Sequence, residues 1–357
     1  MSSPTILGAA LAAVLALTAC STLGESESES GPASGSAGAA AGGTVVLVTH
    51  ESFAVDRKLL TEFEREAGLN VDVRQLGDAG ALVNQLVLTK DSPLGDAVFG
   101  IDNTFASRAL NEGVLAPYDT PALPEGAEDL RVASSDRLTP VDYGDVCVNA
   151  DLQWFADRDL AVPENLADLA DPAYADLLVV TDPTTSSPGL AFLLATVAAY
   201  GESGWLDYWA ALRDNGVRIA GSWSDAYYVD FSGSDGNGPR PLVLSYASSP
   251  PSEVRGDRAT TSALLDTCFR QVEYAGVIAG AANPEGAEQV VDFLLSPQFQ
   301  KDLPTRMYVY PVDPQAKLPV EWKRFAPVPA RPWRLDATQI DANRSTWVQQ
   351  WADTVLG

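Results

Sequence analysis

The chain has 357 residues and a formal net charge of −25, with a hydrophobic content of 46%. That composition is ordinary for a globular protein and excludes a disordered or membrane-embedded chain. The length predicts two domains or lobes rather than one core. The excess of acid repels nucleic acid and anionic membranes and favours cationic ligands.

The N-terminus opens on an apolar, alanine-rich run from Ile6 to Leu17, too short to span a bilayer stably and of signal-peptide type. It ends in Leu17-Thr18-Ala19-Cys20, matching the bacterial lipoprotein box of Leu-small-small-Cys. Residues 1–20 are therefore expected to direct export, with Cys20 lipidated and holding the chain at the outer face of the cell membrane. No Lys or Arg precedes Arg57, which is unusual for such a signal. Residues 21–43 are rich in Ser, Gly, Ala and Glu without periodicity and predict a flexible tether. Three acids, Glu25, Glu27 and Glu29, fall there, so the remainder carries 45 acids against 23 bases, or −22.

From Thr44 strands and helices alternate. Thr44–Thr49 is a β-branched run expected of a strand buried on both faces. Asp56–Ala67 follows as a helix with Leu59, Leu60 and Phe63 on one face and Gly68 as its C-terminal cap. A strand at 70–76, a helix at 79–90 and a strand at 96–101 complete βαβαβ, the pattern of an open, mostly parallel sheet. Strands are then expected at 143–149 and 177–181, followed by an apolar helix at 190–200, and the segments 216–221 and 241–246 bracket a loop at 222–239. These read as a second α/β unit inserted into the first. A strand at 271–278 and a helix at 286–295 return to the first unit. In the last helix, about 336–355, Trp347 and Trp351 stand at i and i+4 and are expected to pack in the core. Lobe 1 is thus predicted as 44–142 with 272–357, and lobe 2 as 143–271, with crossings near 142–145 and 269–273.

Export places Cys147 and Cys268 in an oxidising compartment, where an even pair is expected to bridge and to stabilise by a few kcal/mol. With one His in the chain and no Cys-x-x-Cys, neither a metal nor a cofactor is expected. His50 has no Gly-x-Ser-x-Gly nucleophile to serve, and no phosphate loop is present, so no enzyme is predicted.

Polar and aromatic residues instead gather where strands end, which is where open α/β sheets bind ligands. They include His50-Glu51-Ser52-Phe53, Asp102-Asn103, Thr185 to Gly189 before a helix, Trp223 to Tyr227, Ser245-Tyr246, and Tyr308 with Tyr310. Aromatic faces and carboxylates suit a flat cation, while the helix start at Ser186 and Ser187 suits an anion such as a phosphate.

At these residues the chain resembles the periplasmic thiamine-binding proteins of ABC importers. HESFA, TSSPGLAFLL, SWSDAY, LSYASSP, RQVEYAGVIAG, SPQFQ and PTRMYVYPV occur in the family's order across 44–357. The resemblance implies a two-lobed, type II periplasmic-binding-protein fold hinged around a cleft. It also implies capture of thiamine or its phosphates, and delivery to a permease with a cytoplasmic ATPase. It implies an aromatic wall of Trp223 and Tyr246. Ser186 and Ser187 would face the phosphate or hydroxyethyl end, and Glu51 and Asp102 the aminopyrimidine or the thiazolium charge. Two positions depart from the family: His50-Glu51 stands for Tyr-Asp, and Tyr308 for Trp. The adjacent Tyr227 and Tyr228 keep ferric iron as an alternative ligand, and another small organic cation is a further one.

Overall fold

A computed structural model describes residues 42–132, 135–235 and 237–357. The expected signal, Cys20 and nearly all of the tether lie outside the described residues. Among the described residues no helix is long and apolar enough to cross a membrane.

Eight strands form the spine of one sheet: β1 Gly43–Thr49, β2 Leu69–Gln75, β3 Ala97–Asp102, β4 Thr139–Asp151, β5 Leu178–Thr181, β6 Arg218–Ala220, β7 Leu242–Tyr246 and β8 Phe269–Ile278. Their spatial order is β2-β1-β3-β8-β4-β7-β5-β6. β2, β1 and β3 are mutually parallel, as are β7, β5 and β6. Between them β8 and β4 are antiparallel to each other and to their outer neighbours. The two parallel sets therefore run in opposite directions, and each is reached through one long central strand.

The register of those central strands sets the position of the site. β3 ends at Asp102 opposite Glu273, and Glu273 lies opposite Asp142 on its other side. β7 ends at Tyr246 opposite Val146, four residues further along β4. The carboxyl ends of both parallel sets thus meet at the middle of the β4–β8 pair.

The helices form where the sequence caps them. Helix α1, Arg57–Ala67, begins at Asp56, whose carboxylate accepts from the Lys58 and Leu59 amides, and ends at Gly68 with φ +68. Phe63 of α1 stacks on Phe293 of α4, Pro284–Leu294, at 4.4 Å. Between them α2, Ala79–Leu88, buries Leu82, Val83 and Leu86 against the opposite face of the sheet. Helix α3, Ser187–Asp214, is longer than periodicity indicates: a break at Gly201, φ +67, joins the expected apolar helix to a second run carrying the buried Trp205 and Trp209. After α5, Pro297–Arg306, the chain ends in α6, Ala337–Val355, whose Trp347 and Trp351 are buried as expected. Trp351 packs edge-on against Trp209 at 5.6 Å, while Asn111 bonds Asp341 at 2.9 Å, so α6 touches elements beyond both outer sets of strands. Cys147 and Cys268 are disulfide-bonded across the β4–β8 pair and buried.

Candidate functional site

Where the strand ends meet, a cleft of roughly 650 Å³, counted out to its mouth, is lined from both parallel sets. From the first set come His50, Ser52, Asp78 and Ala79, with Glu273 of β8 on the floor. From the second come Ser187, Pro188, Trp223, Tyr227, Tyr228, Tyr246, Ser249 and Ser252, and the returning segment adds Met307, Tyr308 and Val309.

One wall is aromatic. Trp223 and Tyr227 stack at 5.0 Å with planes 20° apart, and Tyr228 stands edge-on to Trp223 at 5.5 Å. The Trp223 indole donates to Ser245 Oγ at 3.0 Å, and Ser245 in turn pairs with Ser249 at 2.8 Å. The Tyr227 hydroxyl donates to Glu253 at 3.1 Å, so burial and this carboxylate push its pKa up. Tyr246 is held by a hydroxyl contact to Gln271 at 3.3 Å. Tyr308 adopts φ +55, a left-handed conformation that is rare for a bulky side chain, and its carbonyl accepts from Ser248 Oγ at 2.5 Å.

The floor is acidic. Asp102, Glu273 and Asp142 form a row across three adjacent strands, exposed by 0%, 6% and 0%. Both Asp142 oxygens and Asp102 Oδ2 lack a donor. Carboxylates cannot donate to one another, so the row is satisfied only when it holds a proton. Burial pushes Asp142 up to about 8, and burial with the neighbouring Asp142 pushes Glu273 well above its usual range. Beside the row, His50 Nδ1 accepts from the Ser52 amide at 3.1 Å, leaving Nε2 to carry the proton 3.5 Å from Glu273. Burial lowers the pKa of His50 to about 4, so this imidazole is neutral. Its ring lies where a Cβ on Gly100 would stand, 2.1 Å from His50 Cδ2, and Gly100 adopts φ +100. Only glycine suits that position.

Asp78 ties the two sides together. Its Oδ2 accepts from the Trp223 amide at 3.1 Å, across 145 residues of sequence, and burial raises its pKa to about 6. Close by, the Ala81 amide donates to the Thr185 carbonyl at 3.1 Å. A Cβ on Gly80 would stand 2.7 Å from Thr185 and from Phe105, so the approach depends on its absence.

Of the eight predicted ligand residues, the cleft brings together Ser187, Trp223, Tyr227, Tyr246 and Tyr308. Three others stand behind its surface. Ser186 is buried and bonds Thr181 Oγ1 at 2.9 Å. Asp102 accepts from Thr104 and Phe105 and is faced by the Ser187 hydroxyl. Glu51 lies within the field of Asp78 and keeps one buried oxygen without a donor. Tyr310 points elsewhere, stacking on Tyr143 at 5.3 Å. Sequence reasoning missed Asp78 and Glu273 as site residues. Asp78 sits just after a strand, in the same place as Asp102, and Glu273 is a lone acid between Val272 and Tyr274.

Residues 95–331 match the family described as bacterial extracellular solute-binding protein. The chain belongs to that family. It is 27% identical over 322 residues to the thiamine-binding periplasmic protein of Escherichia coli K12, covering 87% of this chain and 93% of that one. A solved periplasmic thiamin binding protein superposes with a TM-score of 0.76 at 26% identity, over 87% of this chain and 96% of the other. A ferric binding protein from Campylobacter jejuni, at 16% identity and TM-score 0.68 over 87% and 99%, shares the fold alone. The fold is the two-lobed, type II periplasmic-binding-protein fold, as expected from the sequence.

Proposed function

We propose that the cleft captures thiamine outside the cytoplasm and that the chain delivers it to the permease of an ABC importer, powered by a cytoplasmic ATPase. The observation that carries this reading is the stacked Trp223–Tyr227 pair facing buried acids across one cleft. A flat, permanently cationic heteroaromatic ligand satisfies both sides at once. Its rings extend the stack, its charge meets the aromatic quadrupole, worth about 2 kcal/mol when desolvated, and its field supplies what the acid row lacks. The names of the similar proteins from Escherichia coli and among solved structures point to the same ligand.

In this reading the lobes are 44–142 with 272–357, and 143–271, hinged at the β4–β8 pair, and α6 of the first lobe also packs on the second through Trp351 and Trp209. The Asp78–Trp223 and Ser248–Tyr308 contacts are the latches of the closed form. Lipidation at Cys20 would hold the protein at the membrane beside its permease. The chain works by binding, with no chemical step.

Thiamine should quench the tryptophan emission of the purified chain with saturation at micromolar concentrations, and a Trp223→Phe variant should lose most of that quench. Absence of any saturable heat with thiamine in calorimetry would remove the proposal. Ferric iron is the second reading, favoured by Tyr227 and Tyr228 both lying at the cleft. It requires a visible charge-transfer band on adding Fe(III), whereas a thiamine complex is colourless.

A further inference from the structure

We infer that a basic groove beside the cleft is a docking site for an acidic, extended segment of a partner protein, which adds as a strand to the free edge of Thr261–Ala263. This surface is independent of which solute the cleft holds.

Charge marks the place. In a chain of net charge −25, residues 317–334 form a strap with five bases and one acid, Glu321. The hairpin at 254–259 adds Arg255 and Arg258 against Asp257. The two stretches meet in a groove of roughly 740 Å³, counted out to its mouth, with Arg258 from one and Arg324 from the other. Among the described residues no acid lines it, and neither guanidinium forms an ion pair. Arg324 instead lies over the Phe325 ring at 4.8 Å. Two positive charges without a counter-charge attract an anionic partner.

The backbone supplies the second feature. Thr261–Ala263 pairs with the last residues of β4, Thr261 opposite Asp151 and Ala263 opposite Asn149, and with no other described strand. The Leu152 amide donates to the Thr260 carbonyl at 3.0 Å, and the Leu264 amide to the Val148 carbonyl at 2.8 Å. In an antiparallel pair the bonded positions alternate. Residues 260, 262 and 264 therefore face β4, and the amides and carbonyls of Thr261 and Ala263 point outward. The strap closes a neighbouring stretch of edge, where Trp333 pairs with Phe269 at the start of β8. At Thr261–Ala263 the groove opens instead. Such an unpaired row is a template for an added strand.

Side chains narrow the occupant. Leu152, Phe325 and Pro327 give the groove apolar surface beside its two guanidinium groups. An extended chain turns alternate residues to opposite faces, so acidic and apolar residues in alternation answer both. A flat anionic membrane would meet the charges and leave the strand edge unpaired. The hairpin runs on from the turn Pro250–Glu253, whose Ser252 lines the cleft, so a partner seated here stands next to the mouth.

The probe is a six-residue peptide of alternating Glu and Val, titrated by calorimetry into the purified full chain carrying Cys20→Ser. The same peptide with Lys for Glu is the control. Saturable binding of the Glu peptide alone is expected, weakening at least fivefold from about 50 to 500 mM salt. Arg258→Glu and Arg324→Glu should each weaken it by about tenfold or more. Ala263→Pro removes one outward N–H without touching the β4 ladder and should weaken it by about fivefold. Thiamine affinity should stay the same in all three variants, because none of these residues lines the cleft. No saturable binding of the Glu peptide, or a loss in the arginine variants with none in Ala263→Pro, overturns the added strand. Three other results overturn the partner: arginine-dependent binding to phosphatidylglycerol vesicles, an arginine-dependent dimer in sedimentation, or a peptide that binds only once residues 21–41 are deleted.

Discussion

On one side of the cleft Trp223 is complete without a ligand: its indole and amide both have acceptors and its ring is packed on Tyr227. On the other, Asp102 and Asp142 keep buried oxygens with no donor, and Glu273 stands between them. The aromatic wall is assembled by packing and gains stability from it. The acid row costs stability in the free protein, because three carboxyl groups at the same level of adjacent strands cannot all be ionised in a buried site. The contrast suggests a division of labour. The wall supplies shape and contact area, and the floor supplies a charge deficit that only a cation relieves.

Four substitutions would break or sharpen that contrast. The largest effect is expected from Cys147→Ser, since the bridge spans 121 residues and braces the β4–β8 pair that carries the floor. Denaturant unfolding should show a loss of about 3–5 kcal/mol. Truncation of the wall comes next: Trp223→Ala should weaken thiamine binding by about 100-fold, the combined loss of stacking and cation–π attraction, and should also lower Tm, because the stack on Tyr227 and the bond to Ser245 go with it. Removing charge from the floor should act in both directions at once. Glu273→Gln should weaken thiamine by about tenfold yet raise the Tm of the free protein, and a variant that lowers both would show the floor to be ordinary structure.

The smallest effect is a matter of pH. Asp142 is raised by burial to about 8 in the folded state. A raised carboxyl contributes stability that is present at low pH and is lost as pH climbs through that value. Asp142→Asn should therefore raise Tm by about 2–4 °C at pH 8.5 and by less at pH 6.5. His50 has the opposite sign: its folded pKa is lowered to about 4, so it costs stability as pH falls below its ordinary value of 6.5. Thermal scans from pH 6.5 upward isolate the acid row. A shift that is equal at both pH values would contradict the shared proton.

Much of the fold was legible because it depends on local patterns. The β-branched run at 44–49, the Asp56 and Gly68 caps, and Trp347 with Trp351 one helical turn apart each specify their own element. The extent of α3 was not, because Gly201 punctuates the pattern while tertiary packing carries the second run onward. At the site, aromatic residues were legible from their place at strand ends. Asp78 and Glu273 were not, because their role comes from register. Nothing local says that Glu273 will lie between Asp102 and Asp142, or that Asp78 will meet Trp223 across 145 residues.

The most direct measurement is the heat of thiamine binding at pH 7.5, taken in two buffers with different ionisation enthalpies. A cation seated over the floor lowers the pKa of Glu273 and Asp142, so their shared proton should leave, and affinity should rise as pH is raised from about 6 to 8. The expected result is saturable one-to-one binding at micromolar concentrations or tighter, with a net release of about half a proton or more. Saturable binding whose heat is identical in both buffers would place the cation away from the acid row and contradict the division of labour between wall and floor.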